Sequence, residues 1–219
     1  MEFAKELRKY MRAEFSGPIM DVKNHYEGAH DSFNTNKPIW NVSDVRHGFY
    51  PAVLSGACGI TYGSLPVQQS HENMSLIATS EHFMDPQLGL SENASWHEAI
   101  HWPGARQTGY LGKLFSSLSR EQVNELRPAW EYVSSVNGSI EDIMLFEGDR
   151  EWGTLGSSAT AQWFDPCTAE MQAAGSDEPF LAKGKKTFTP PTSAGVDFDW
   201  LLVIKLVNYS CVDVYRKAD

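Results

Sequence analysis

Pro18-Ile19-Met20-Asp21-Val22-Lys23-Asn24-His25-Tyr26-Glu27-Gly28 turns from apolar to densely polar within a few residues, and its reading decides the fold. Before it, Phe3, Leu7, Tyr10, Met11 and Phe15 recur at helical spacing, and Gly17-Pro18 ends that run. The apolar residues 18–22 then read as a short buried strand, with the polar stretch beyond its carboxyl end. Helix, tight turn and buried strand together make an α/β unit.

Working outward, residues 28–43 are polar and read as a loop. Asp44 is placed to N-cap a helix to about Ser55 that carries Val45, Phe49, Ala52 and Val53. Gly56-Ala57-Cys58-Gly59 closes it, and Ile60-Thr61-Tyr62 is a second short strand. This strand–helix–strand order predicts that 18–22 and 59–62 are parallel neighbours. Residues 63–95 form a long loop rich in His, Ser and Asn, of the kind that often lines sites. Pro103 opens a further helix with Tyr110, Leu111, Leu114, Phe115 and Leu118 on one face. Ser119-Arg120-Glu121-Gln122 has capping-box form and starts a short helix that ends before Pro128.

Beyond about residue 130 the character changes. Ile140–Glu147, Ala159–Phe164, Lys186–Thr189 and Trp200–Leu206 are strand candidates separated by Gly, Pro, Asp and Ser. The expectation is α/β followed by all-β, with a boundary near residue 125.

Composition narrows the function. The 219 residues are 42% hydrophobic and 21% charged, an ordinary globular balance with enough chain to bury a core. A net charge of −10 opposes binding to nucleic acid or to an anionic membrane, so neither partner is expected. No apolar run is long enough to span a bilayer, and the charged start Met1–Tyr10 has no signal-peptide core. Cys58, Cys167 and Cys211 match neither a zinc spacing nor a disulfide framework and read as isolated buried thiols. Asn41, Asn73, Asn93, Asn137 and Asn208 each begin an Asn-x-Ser sequon, where chance leads one to expect about one. That excess points to a secreted parent protein, and with no signal peptide in view the chain is expected to be a fragment of it.

The chemistry concentrates after the first strand. Carboxyl ends of strands in parallel α/β folds are where ligands bind. Asp21, Lys23, Asn24, His25, Tyr26 and Glu27 lie there, with His30 and Asp31 close behind. Glycosidases use two carboxylates, about 5 Å apart for retention and 6.5–9.5 Å apart for inversion. Glu27 is a candidate for one, and a loop carboxylate bonded to Arg46 or to backbone is the plainer alternative. His97-Glu98-Ala99-Ile100-His101 fits the zinc-peptidase expression HExxH, but the helix there begins only at Pro103, so no metal or cofactor is expected.

Three stretches together resemble the apiosidase-like glycoside hydrolase family. Asp21–Gly28 is similar to its Asp-Gly-Glu-Pro-x-Tyr-Glu-Gly segment. Asp44-Val45-Arg46 with Tyr50 and Leu54–Gly63 resembles its next helix and last barrel strand. Ala99 with Pro103–Leu111 resembles its final barrel helix. Trp163–Glu170, Thr187–Pro191 and Asp199–Val203 resemble the β-module at the family's C-terminus, which carries a collagen-binding label that nothing in this composition supports.

The resemblance implies an incomplete (β/α) barrel segment over 1–125 and a small antiparallel β-sandwich over 126–219. About 250 residues close a full barrel, so the earlier strands and their acid/base would lie outside this chain. It further implies that Lys23 stands where the family has its nucleophilic Glu. An ammonium cannot form a glycosyl ester. Glu27 matches the family's second Glu and is the remaining catalytic candidate, while His25, Tyr26, Arg46 and Tyr62 are the implied substrate-binding residues. The implied partner is a plant-type or microbial polysaccharide or oligosaccharide, and the implied activity of this chain alone is none. The rival reading is a carbohydrate- or matrix-binding module without catalysis.

Overall fold

The computed structural model describes residues 17–34, 36–68, 94–128, 145–147, 158–176, 178–181, 186–191 and 199–207. The expected helix over 2–15 and most of the 63–95 loop lie outside them. The chain divides into two compact units, Met1–Glu147 and Gly148–Asp219. The change of sequence character near residue 125 falls inside the first.

In the first unit, strand β1 (Met20–Asp21) pairs in parallel with β2 (Gly59–Ile60), Met20 opposite Gly59 and Asp21 opposite Ile60. Helix α1 (Val42–Leu54) joins them, as the strand–helix–strand order requires. Val45, Phe49 and Ala52 are buried at helical spacing, whereas Val53 is only half-buried. Ala52 and Ala57 close the core over Ile19 and Ile60. The N-cap is Asn41, three residues before the expected Asp44. Asn41 Oδ1 accepts from the backbone of Ser43 and Asp44, and the Asp44 carboxylate returns to the Asn41 N–H, which completes a capping box.

Beyond β2 come the single turns α2 (Leu65–Gln68) and α3 (Trp96–Ala99). Helix α4 (Pro103–Ser116) packs on α1, with Gly104, Gln107 and Leu111 buried. Helix α5 (Arg120–Glu125) begins in the expected capping box, Ser119 Oγ accepting from Gln122 N at 3.2 Å. Strands β3 (Leu126–Pro128) and β4 (Leu145–Glu147) pair antiparallel.

The second unit centres on β5 (Ser158–Phe164), flanked by β6 (Met171–Ala173), β7 (Phe180–Leu181) and β8 (Leu201–Val207), all antiparallel to it. Ala159, Ala161 and Trp163 alternate inward, the period that a one-sided sheet demands. The strand expected at Lys186–Thr189 does not form. Phe188 instead rests on Phe180 at 5.7 Å, and the Lys186 ammonium lies 3.8 Å from the Phe180 ring centroid. Among its described residues the second unit contains this one sheet and not the opposing sheet of a sandwich. Cys58 is exposed and Cys167 half-buried, which corrects the expectation of buried thiols at these two positions, and Cys211 lies outside the described residues. No helix among the described residues is long and apolar enough to cross a membrane.

Candidate active site at the carboxyl end of the parallel pair

Past the two-residue ladder the segments after β1 and β2 stay together through further backbone bonds, Thr61 N–H donating to the Asp21 carbonyl at 3.0 Å and Glu27 bridging in parallel to Ser64, and through side chains. The Asp21 carboxylate, 5% exposed, accepts from Asn24 Nδ2 at 2.5 Å and from the Lys23 N–H at 3.2 Å. Asn24 Oδ1 in turn accepts the His25 N–H at 2.7 Å. This knot curls the backbone just after the strand and leaves the Lys23 side chain exposed.

His25 stacks on Trp40 with ring centroids 4.3 Å apart, and its Nδ1 lies 2.7 Å from the Asp44 carbonyl. A carbonyl can only accept, so Nδ1 carries a proton and donates it to this bond. The Cδ1–Cε1 edge of the Tyr26 ring abuts Gly63, where any Cβ would come within 2.2 Å of both atoms.

At Glu27 the two chains meet again. Its N–H donates to the Gly63 carbonyl at 3.0 Å, and its carbonyl accepts from Leu65 N at 3.1 Å. The side chain is 6% exposed. Oε2 accepts two bonds, from the Tyr62 hydroxyl at 2.7 Å and from the Gly104 N–H at 3.0 Å. Gly104 lies in the first turn of α4, whose open N–H groups and positive dipole end suit a carboxylate. A Cβ on Gly104 would stand 2.1 Å from Oε2, so only glycine admits this approach. Arg46 is wholly buried beneath, with Nη1 donating to Gln107 Oε1 at 2.5 Å.

Burial pushes the Glu27 carboxyl above its ordinary pKa, opposed by the Tyr62 and Gly104 hydrogen bonds and by the Arg46 charge. Burial, reinforced by the neighbouring carboxylate, pushes the Tyr62 phenol far up, so it remains a donor. Glu27 thereby ties together the end of β1, the end of β2 and the start of α4.

The structure therefore brings together Glu27, the half-buried Tyr62 and the nearby Arg46 charge, and sets His25 apart with Trp40 and Asp44. Lys23 lies at the rim. Gly104 and Gln107 belong to the network and were not anticipated, although Pro103-Gly104 at a helix start is the signal of a free N–H. The HExxH stretch has a different use. Glu98 turns back to close a capping box on Ser95, and His97 stacks on Trp96 at 3.6 Å. Among the described residues no three His, Cys, Asp or Glu side chains converge.

A carboxylate-bearing network at the carboxyl end of a parallel strand pair, with a helix N-terminus seated over it, stands where parallel α/β folds bind their ligands. The structure superposes on a glycoside hydrolase family 5 protein from Bacteroides vulgatus with a TM-score of 0.69 at 21% identity, covering 92% of this chain and 44% of that one. A second solved structure, described as a glycoside hydrolase, gives 0.70 at 19% identity, covering 92% and 45%. The chain thus shares their fold and spans less than half their length. Residues 2–122 match the family model of the apiosidase-like catalytic domain, and the chain belongs to that family. Residues 152–205 match a model described as "Putative collagen-binding domain of a collagenase". No curated protein matches the sequence.

Proposed function

We propose that this chain is the C-terminal portion of a secreted apiosidase-like glycoside hydrolase, built as the last strands and helices of a β/α-barrel followed by a β-sandwich. The parent enzyme would cleave glycosidic bonds in a plant-type or microbial polysaccharide, and the chain alone would turn over none. The observation that carries this reading is the contrast between Lys23 and Glu27. Lys23 is exposed beyond the carboxyl end of β1, where a carboxylate would have to attack. Its ammonium would oppose the oxocarbenium-like charge that a carboxylate stabilises. Glu27, the one family-like carboxylate left, is buried with Oε2 committed to Tyr62 and Gly104. On this reading Glu27 is a positioning residue, and the reaction needs a carboxylate at position 23 and an acid/base from upstream strands.

The test is hydrolysis of plant cell-wall oligosaccharides by the 219-residue chain, by its Lys23→Glu variant, and by a reconstruction carrying Lys23→Glu together with upstream barrel strands. Only the last should release sugar. Turnover by the unmodified chain would refute the proposal and favour Glu27 with another carboxylate as a working pair.

A further inference from the structure

Five sequons punctuate the sequence, and Asn41-Val42-Ser43 is the one whose three residues are all described. Its asparagine is exposed and its serine is 1% exposed, although they are only two residues apart. Asn41 Oδ1 accepts from Ser43 N at 2.7 Å, from Ser43 Oγ at 2.8 Å and from Asp44 N at 3.3 Å. Every side-chain bond described for Asn41 thus falls on the oxygen, and none on Nδ2. The cap uses one end of the amide and leaves the other to solvent.

We propose that Asn41 is an N-glycosylation site whose glycan is carried on the N-cap of α1. The inference rests on the secretory part of the proposed function, since the donor exists only in a secretory pathway. In the step itself Nδ2 attacks the anomeric carbon of a lipid-diphosphate-linked oligosaccharide. A C–N bond forms, the C–O bond to the diphosphate breaks with its electron pair leaving on the lipid diphosphate, and one amide proton is lost to the transferase's base. The product is a secondary amide that keeps its carbonyl oxygen. Because the cap needs only that oxygen, glycan and cap coexist.

The buried serine adds an order of events. A transferase reads the Ser hydroxyl of the sequon, and in the folded chain that hydroxyl is covered and bonded to Asn41. Glycan transfer at Asn41 therefore precedes closure of α1, and the folded chain is a poor acceptor.

The experiment is secretion of the full 219-residue chain from a eukaryotic host behind a leader supplied by the expression vector, followed by peptide mapping after amide-cleaving deglycosylation. The Asn41 peptide should carry the aspartate mark of a removed glycan. The Asn41→Asp variant should run one glycan lighter with an unchanged melting temperature, since Asp caps as well as Asn. A secreted chain bare at Asn41 overturns the site. Because the leader is supplied, that outcome speaks against Asn41 and not against native secretion or the hydrolase reading, which the turnover assay tests separately. Unglycosylated chain offered to microsomal transferase should be modified at Asn41 at least tenfold less when folded than when denatured. Equal modification overturns the ordering.

Discussion

The two units bury their interiors by different means. In the second, seven residues of β5 pair with seven of β8, and an inward row of Ala159, Ala161 and Trp163 carries the burial. In the first, β1 and β2 share only two rungs. Past those rungs there is one further parallel bridge, Glu27 to Ser64, and side chains supply the rest, with Asp21 holding its own loop and Glu27 joining segments up to 77 residues away. A backbone ladder tolerates many side chains on its outer face. A side-chain strut does not, because each buried polar group left behind costs its own desolvation.

That difference can be broken most severely at Glu27. Glu27→Ala leaves the buried Gly104 N–H and the half-buried Tyr62 hydroxyl without their acceptor and removes the negative charge near Arg46, and should destabilise the first unit by about 3–5 kcal/mol, measured by urea denaturation. A loss under about 1 kcal/mol would show that the strut is dispensable. Trp163→Ala in the second unit should cost about 3–5 kcal/mol through lost apolar burial. The contrast lies in rescue: Trp163→Phe should recover much of that loss, whereas Glu27→Leu should not.

Helix α4 allows a comparison within one element. Gly104→Ala pushes a methyl into Glu27 Oε2 and should cost about 1–3 kcal/mol. Gly109 and Gly112 have open space at the same atom, so Ala there should stabilise by about 0.5–1 kcal/mol. Equal signs at all three positions, read from thermal melts, would remove the close approach from the account.

A smaller effect is that of pH. Glu27 has a folded-state pKa raised above the ordinary 4.5, so the folded state holds its proton longer than the unfolded state. Its contribution is most favourable below 4.5 and is lost as pH rises from there through the raised value. Asp31, Glu98 and Glu121 have lowered values and act with the opposite sign, gaining stability as pH rises toward their ordinary range. Denaturation curves across this window should show wild type losing stability relative to Glu27→Gln as pH increases. A parallel pair of curves would contradict the buried-carboxylate reading.

The parts of the molecule legible in the sequence are those with local causes. Period and punctuation located β1, α1, β2, α4 and β5, and the Ser119 capping box needed no tertiary partner. The N-cap of α1 was misplaced because Asn41-x-x-Asp44 offers two good capping residues, and the true geometry uses both. Lys186–Thr189 carries the β-branched and aromatic residues of a strand, yet Pro190-Pro191 follows at once and Phe188 finds Phe180 instead of a ladder. Glu27 and Arg46 were visible as candidates, but their setting was not. The partners Gly104 and Gln107 lie 77 and 61 residues along the chain, and no spacing rule reaches that far.

On the proposed function, two positions four residues apart divide the work, with position 23 reserved for attack and Glu27 for architecture. The direct measurement is kcat of the reconstructed enzyme carrying Lys23→Glu, with and without Glu27→Gln, both shown folded by circular dichroism. The account predicts turnover in both, with kcat within a few-fold and the Glu27→Gln form altered mainly in stability. Loss of turnover by a factor of about a thousand or more in a folded Glu27→Gln form would make Glu27 a reacting group and contradict the account.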